Sequence, residues 1–307
     1  SRCQSSRMPS FRSVRSQARH HATQASSIGV AKPESGAIEI HSLGTQRIYE
    51  VSLSILGRWA SSQHLGNTLR DLPEHVVARW LDERSEQVGQ KCLDNDRQAV
   101  RKVLGFDFPR LRSNYVSERS LADEPRAYTK AQIKRIAACQ SQGNAFATRL
   151  AAAAGLRAQE LLTLRRATER PSTVQREWSG NRFLGLEGER YTVAGKGGLV
   201  REVMLPHSLE SELEETRRAN PQTVRDRAIN YLSFYDVSGG NRWSKSFCEA
   251  SSRALGYSLG AHGLRHAYAQ DRLSQLQQAG LSYPVALGVV SQELGHFRPD
   301  ITEIYLR

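Results

Sequence analysis

The chain has 307 residues, with 43 Lys+Arg against 31 Asp+Glu and a formal charge of +12. Hydrophobic residues make up 39% of it, enough for the cores of the two domains this length suits. No window approaches the ~18 uninterrupted apolar residues of a membrane span, and no secretory signal is evident in the first forty residues. The four cysteines (Cys3, Cys92, Cys139, Cys248) are far apart and show no metal-ligand spacing. A disulfide scaffold is thereby excluded, and a reduced, cytoplasmic protein is expected.

Seven of the cations are Lys and 36 are Arg. An arginine fork grips phosphate through paired hydrogen bonds, where lysine acts as a point charge. The surplus therefore points to a polyanion, nucleic acid first. GC-rich coding also favours arginine, so composition nominates this partner without settling it.

Residues 1–32 carry six cations (Arg2, Arg7, Arg12, Arg15, Arg19, Lys32) and no acid. So polar a stretch buries too little apolar surface to offset its ordering entropy, which predicts a flexible basic arm over 1–40. From about Gln46 the pattern turns helical, with Ile48, Val51, Leu53, Ile55, Leu56 and Trp59 on a broad apolar face. Pro73 opens a second helix through Val76, Val77, Trp80 and Leu81. A third is expected around Asp96 to Leu104. These make a helical domain over 41–115, followed by a linker over 116–126 and a second domain over 127–307.

In the second domain Thr129 is a predicted N-cap, opening a helix through Ile133 and Ile136. Another helix runs from about Phe146, breaks near Gly155 and resumes from Glu160 to Leu164. Tyr191 to Ala194 and Leu199 to Leu205 are β-rich runs joined by Gly195-Lys196-Gly197-Gly198, which predicts a hairpin. After Pro206 the chain is expected to be mainly helical, and the aromatic residues Tyr231, Phe234 and Tyr235 are expected in its core. The fold class is therefore mainly α with a small β-hairpin (α+β).

One constellation carries chemistry: Arg157 and Glu160 after Gly155, Lys196 in the hairpin turn, His262, Arg265 and His266 in one box, His296 in another, and Tyr305 nine residues on. Two arginines can clamp the charge that develops on a phosphodiester under attack. A tyrosine hydroxyl can form a covalent intermediate with it. A lysine can protonate the departing oxygen, and histidines can move protons near neutral pH. His262 and His266, four residues apart, would suit a metal pair on a helix, but no third ligand stands at useful spacing. No metal and no other cofactor is expected.

These motifs resemble those of the tyrosine recombinases, the phage integrase family. Gly155-Leu156-Arg157 through Glu160-Leu161-Leu162 to Leu164 is similar to the family's first arginine segment. Lys196 matches its hairpin lysine, and His262 to His266 its "H-x-L-R-H" box. Leu294-Gly295-His296 matches its "L-G-H" box, and Tyr305 its nucleophile. The resemblance covers about 127–307 in detail and extends loosely to a core-binding domain at about 40–115.

It implies that Arg157 and Arg265 clamp the scissile phosphate and that Lys196 is the general acid. It further implies that His262 is a base or phosphate contact, that His296 supports the phosphate, and that Tyr305 is the nucleophile. Glu160 and His266 would orient these groups from behind. The implied function is a site-specific recombinase acting through a 3′-phosphotyrosine, in the integration, excision or transposition of a mobile element. Double-stranded DNA, a tetramer on that DNA and a bacterial nucleoid location are implied with it. A type IB-like nicking-closing topoisomerase and a catalytically silent DNA-binding protein of this fold are the alternatives. The family usually continues past its nucleophile into a helix that docks on a neighbouring subunit. Here Leu306 and Arg307 follow Tyr305, which leaves inter-subunit control open.

Overall fold

The computed structural model describes residues 11, 13–28, 39–116, 125–195 and 198–306. The chain divides into two compact units, Ser1–Arg119 and Ser120–Arg307. No helix among the described residues is long and apolar enough to cross a membrane.

The first unit contains helices α1 (Val14–Gln24), α2 (Leu43–Ser62), α3 (Glu74–Ser85) and α4 (Gln90–Ala99). The third expected helix thus begins six residues early, and a wider π-type turn, Val100–Leu104, follows it. Leu53, Leu56, Val77, Trp80, Leu81, Leu93 and Val100 are buried in one core. Ile48 and Val51 instead face outward, because the apolar stripe of α2 is broader than one packing face can cover. The flexible arm expected over 1–40 is corrected across 14–24. Ser13 caps α1 through a reciprocal capping box with Ser16, and Ala18 and Ala22 are fully buried. Small alanines let α1 lie close to its neighbours, so a polar segment joins the core through few apolar atoms. Residues 1–10, 12 and 29–38 of that stretch lie outside the described residues.

The second unit begins with α5 (Lys130–Ala138), capped by Thr129 as expected, with Gln132 completing a capping box, and α6 (Gln142–Ala154). A 3-10 turn, Glu160–Thr163, leads into β1 (Arg165–Arg166), β2 (Glu189–Ala194) and β3 (Val200–Leu205). These form an antiparallel sheet in the order β1-β2-β3. The β2–β3 hairpin is in register from Glu189↔Leu205 to Ala194↔Val200. After α7 (His207–Glu215), the helical expectation fails. β4 (Arg217–Asp226) and β5 (Ile229–Tyr235) form a separate antiparallel ribbon. Asn220-Pro221 and the charged residues of β4 hide its alternation, and its two-residue turn, Arg227-Ala228, lacks the usual asparagine or glycine. Tyr235 is buried against the core, whereas Phe234 packs partly buried under Arg165. The long stretch before Gly260 is α8 (Gly240–Leu255). It is followed by α9 (Gly263–Gln278), α10 (Tyr283–Glu293), α11 (Pro299–Glu303) and a final turn, Ile304–Leu306.

Candidate active site

The site assembles where α6, the β2–β3 hairpin, α9 and the turn after α10 converge. Gly155 ends α6 at φ +57, a conformation that costs a side chain of ordinary chirality. A Cβ there would stand 2.8 Å from the Tyr268 ring. The turn it permits aims the Gly155 carbonyl inward, where it accepts hydrogen bonds from Arg265 Nη1 and from Arg201 Nη2, the latter at 3.3 Å. The same turn launches Arg157 and Glu160. The Glu160 carboxylate is fully buried, and its Oε2 accepts from the Arg157 backbone N–H at 2.8 Å.

Three guanidinium groups surround this carboxylate. Arg157 Nη1 donates to Oε1 at 2.7 Å, Arg201 Nη2 to Oε2 at 2.7 Å, and Arg265 Nη1 stands 3.7 Å from Oε2. Burial on its own would raise the Glu160 pKa. The positive charges of Arg201, Arg265 and Arg157 outweigh it and hold the group ionised, far below the usual carboxylate range. Three cations on one carboxylate leave two positive charges uncompensated, so the cluster is preorganised for an anion. Arg157 keeps one-fifth of its side chain exposed, while Arg265 and Arg201 are buried. A cleft of about 190 Å3 opens beside Arg157, Gln159, Ser244 and His262.

Tyr305 is buried against this cluster. Its hydroxyl lies 2.8 Å from His262 Nε2. His266 stacks on the phenol ring, with centroids 4.6 Å apart and planes 27° apart. His296 approaches the ring to 4.9 Å, and Gln270 donates to the Tyr305 carbonyl at 3.2 Å. His296 Nε2 is 3.3 Å from Arg265 Nη2, and its Nδ1 is 3.2 Å from Thr302 Oγ1. An arginine can only donate, so Nε2 accepts and the ring proton sits on Nδ1, facing Thr302. Burial, reinforced by the charge of Arg265, pushes His262 down to about 4 and His296 to about 3. Burial and then Arg126 lower His266 to about 4. All three rings are therefore neutral at pH 7, and neutral His262 can accept a proton from the hydroxyl it touches.

The structure thus brings together Arg157, Glu160, His262, Arg265, His266, His296 and Tyr305. Lys196 lies outside the described residues. Its neighbour Gly195 abuts the cluster, with a Cβ position 3.3 Å from Glu160 Oε1.

Two further residues belong to the framework and were missed in the sequence. Arg201, on β3, ties Glu160 to the carbonyls of Gly155 and Glu293. Glu293, buried at the end of α10, accepts 2.9 Å bonds from Arg272 Nε and Nη2 and from the Tyr268 hydroxyl, and a 2.8 Å bond from the Phe183 N–H. It anchors the turn that carries His296. Only its place beside Leu294-Gly295-His296 marked Glu293, and a lone arginine in a β-run gave no signal for Arg201. Among the described residues, no group of three or more His, Cys, Asp or Glu is placed to hold a metal ion.

No family model and no curated protein matches the sequence. Among solved structures, the post-cleavage complex of the XerH site-specific recombinase with palindromic difH substrate is similar, with a TM-score of 0.53 at 17% identity. The match covers 96% of this chain and 90% of that one. The XerH pre-cleavage complex with difH gives a TM-score of 0.53 at 19% identity, covering 96% and 91%. The Tn1549 transposon integrase bound to transposon right end DNA gives 0.49 at 14%, covering 87% and 90%. At these identities the XerH likeness establishes the fold.

Proposed function

Proceeding from the tyrosine-recombinase fold of this chain, we propose that the protein is a site-specific DNA recombinase that cuts and rejoins strands through a 3′-phosphotyrosine. The observation that carries this reading is the Tyr305 hydroxyl, 2.8 Å from a neutral histidine and beside an arginine cluster short of negative charge.

A phosphodiester of double-stranded DNA supplies the missing anion. Arg157 and Arg265 hold its non-bridging oxygens, and His296 supports them. The Tyr305 oxygen bonds to phosphorus as its proton passes to His262. The bond from phosphorus to the 5′ oxygen breaks, and Lys196 protonates that oxygen as it leaves. Attack by a 5′ hydroxyl on the phosphotyrosine reverses the path and seals a strand. Exchange between two duplexes needs four such cuts, which makes the working form a tetramer on DNA. We assign the task to a mobile element, in integration, excision or transposition, and the acid-free basic sequence of residues 1–32 supports this assignment.

The test is incubation with a nicked duplex library of random sequence, followed by denaturation and sequencing of the DNA that stays attached. Attachment to a shared sequence, abolished in Tyr305→Phe and retained in EDTA, is expected. Attachment surviving in Tyr305→Phe overturns the nucleophile. Plasmid relaxation with no shared sequence would redirect the function to a nicking-closing topoisomerase.

A further inference from the structure

The β4–β5 ribbon takes no part in the site described above, and its construction is asymmetric. Directly opposed residues of an antiparallel pair share a face. Thr223↔Leu232 and Arg225↔Asn230 are opposed, and all four are exposed. The alternate pair Asp226↔Ile229 turns the other way, with Asp226 buried. That face of the ribbon is therefore open and carries Thr223, Arg225 and Asn230 around one exposed apolar residue, Leu232, with no acidic residue among these four.

The buried face fixes the ribbon beside the active site. Asp226 Oδ1 accepts from the Asn241 N–H at the start of α8, at 2.9 Å. Its neighbour Gly240 donates to the carbonyl of Ala158 at 2.7 Å, and Ala158 adjoins Arg157. A Cβ on Gly240 would stand 2.6 Å from the Asp226 carboxylate carbon, so glycine is what allows this approach. At the tip, Arg227 holds φ +59, where asparagine or glycine would be less strained. Its guanidinium is pinned to Asp226 at 3.1 Å.

A two-stranded ribbon is narrow enough to enter the major groove, where arginine and asparagine are the side chains that bond guanine and adenine in pairs. We propose that the β4–β5 ribbon is a further DNA-binding element, its open face entering a groove of the duplex next to the phosphate held by Arg157. This deepens the recombinase reading and rests on it for the position of that phosphate. Arg225 and Asn230 face the bases or backbone there, and Asp226 transmits their position to the Arg157 loop.

The test measures binding of the full chain to a 40-bp random-sequence duplex across a KCl series. It compares the parent with Arg225→Ala/Asn230→Ala and with Arg253→Ala, which removes one charge at the far end of α8. The slope of log K against log [KCl] is expected to fall by about one in the ribbon variant and to stay at the parent value in Arg253→Ala. An unchanged slope in the ribbon variant overturns the proposal, and a changed oligomeric state beside it would give the face to another copy of the chain. Equal losses in both variants also overturn it, as an effect of net charge alone. Adduct formation by the parent on a nicked duplex is scored separately, so failure of strand transfer and failure of the ribbon contact are told apart.

Discussion

The Tyr305 hydroxyl and His262 Nε2, 43 positions apart in the chain, are 2.8 Å apart in space. His262 stands at the start of α9, where burial and the guanidinium of Arg265 keep its ring neutral. In the proposed reaction the nucleophile and its proton acceptor would therefore be paired before DNA arrives, and the pH response of that reaction would follow from the pairing.

Adduct formation on a nicked duplex should stay level as the pH falls from 8 through 6.5, where an ordinary histidine is half protonated. It should decline only below that, as the pH nears the value of about 4 held by His262. His262→Ala should slow the single-turnover rate by about 10²–10⁴-fold, the range for one positioned proton acceptor. Rapid mixing with acid quench across pH 5 to 8 checks both outcomes. A decline centred at 6.5 would remove His262 from the role.

The same burial makes the fold sensitive to acid. The pKa of His262 is lowered in the folded chain, so between pH 6.5 and about 4 the unfolded chain binds the extra proton and the folded chain does not. Unfolding is favoured as pH falls through that window. His262 is partly solvent-exposed, which screens its share of this loss, and His296 and His266 act in the same direction. Denaturant melts at pH 7.5 and 5 should show this loss, and His262→Gln should recover part of it.

Glu160 holds together three arginines that otherwise repel one another. Glu160→Gln keeps the shape and removes the charge, which should cost about 3–5 kcal/mol, a melting temperature roughly 10 °C lower. An anion that occupies the cluster compensates. Sulfate or duplex DNA should therefore restore more of the melting temperature in Glu160→Gln than it adds to the parent. Equal increments in calorimetry would contradict the account.

The Arg272–Glu293 pair is a buried ion pair, with both partners essentially unexposed. Removing one partner strands the other, so Arg272→Met or Glu293→Leu should each cost about 3–5 kcal/mol. The double variant should be more stable than either single one, because no buried charge is left unpaired. A double-mutant cycle by urea melts checks this, and additive losses would refute it.

Local signals made much of this fold readable. Thr129 with Gln132, and the β-runs on either side of Gly195 to Gly198, announce their structures through bonds and turns made within a few residues. Helix α1 escaped because its packing rests on Ala18 and Ala22, whose small side chains give no apolar periodicity. The β4–β5 ribbon escaped because Asn220-Pro221 and an Arg227-Ala228 turn give no hairpin signal.

By itself the sequence determined the inventory of the site: Arg157, Glu160, His262, Arg265, His266, His296 and Tyr305 lie in ordered boxes whose chemistry suits a phosphodiester, and Lys196 stands among them in the chain. The tertiary structure decided which charges are compensated and which rings are neutral. Arg201 is an unremarkable strand residue until Glu160, 41 positions away, meets it inside the core. Burial and long-range charge set those protonation states, and both exist only once α6, β3, α9 and the turn after α10 have closed around one carboxylate.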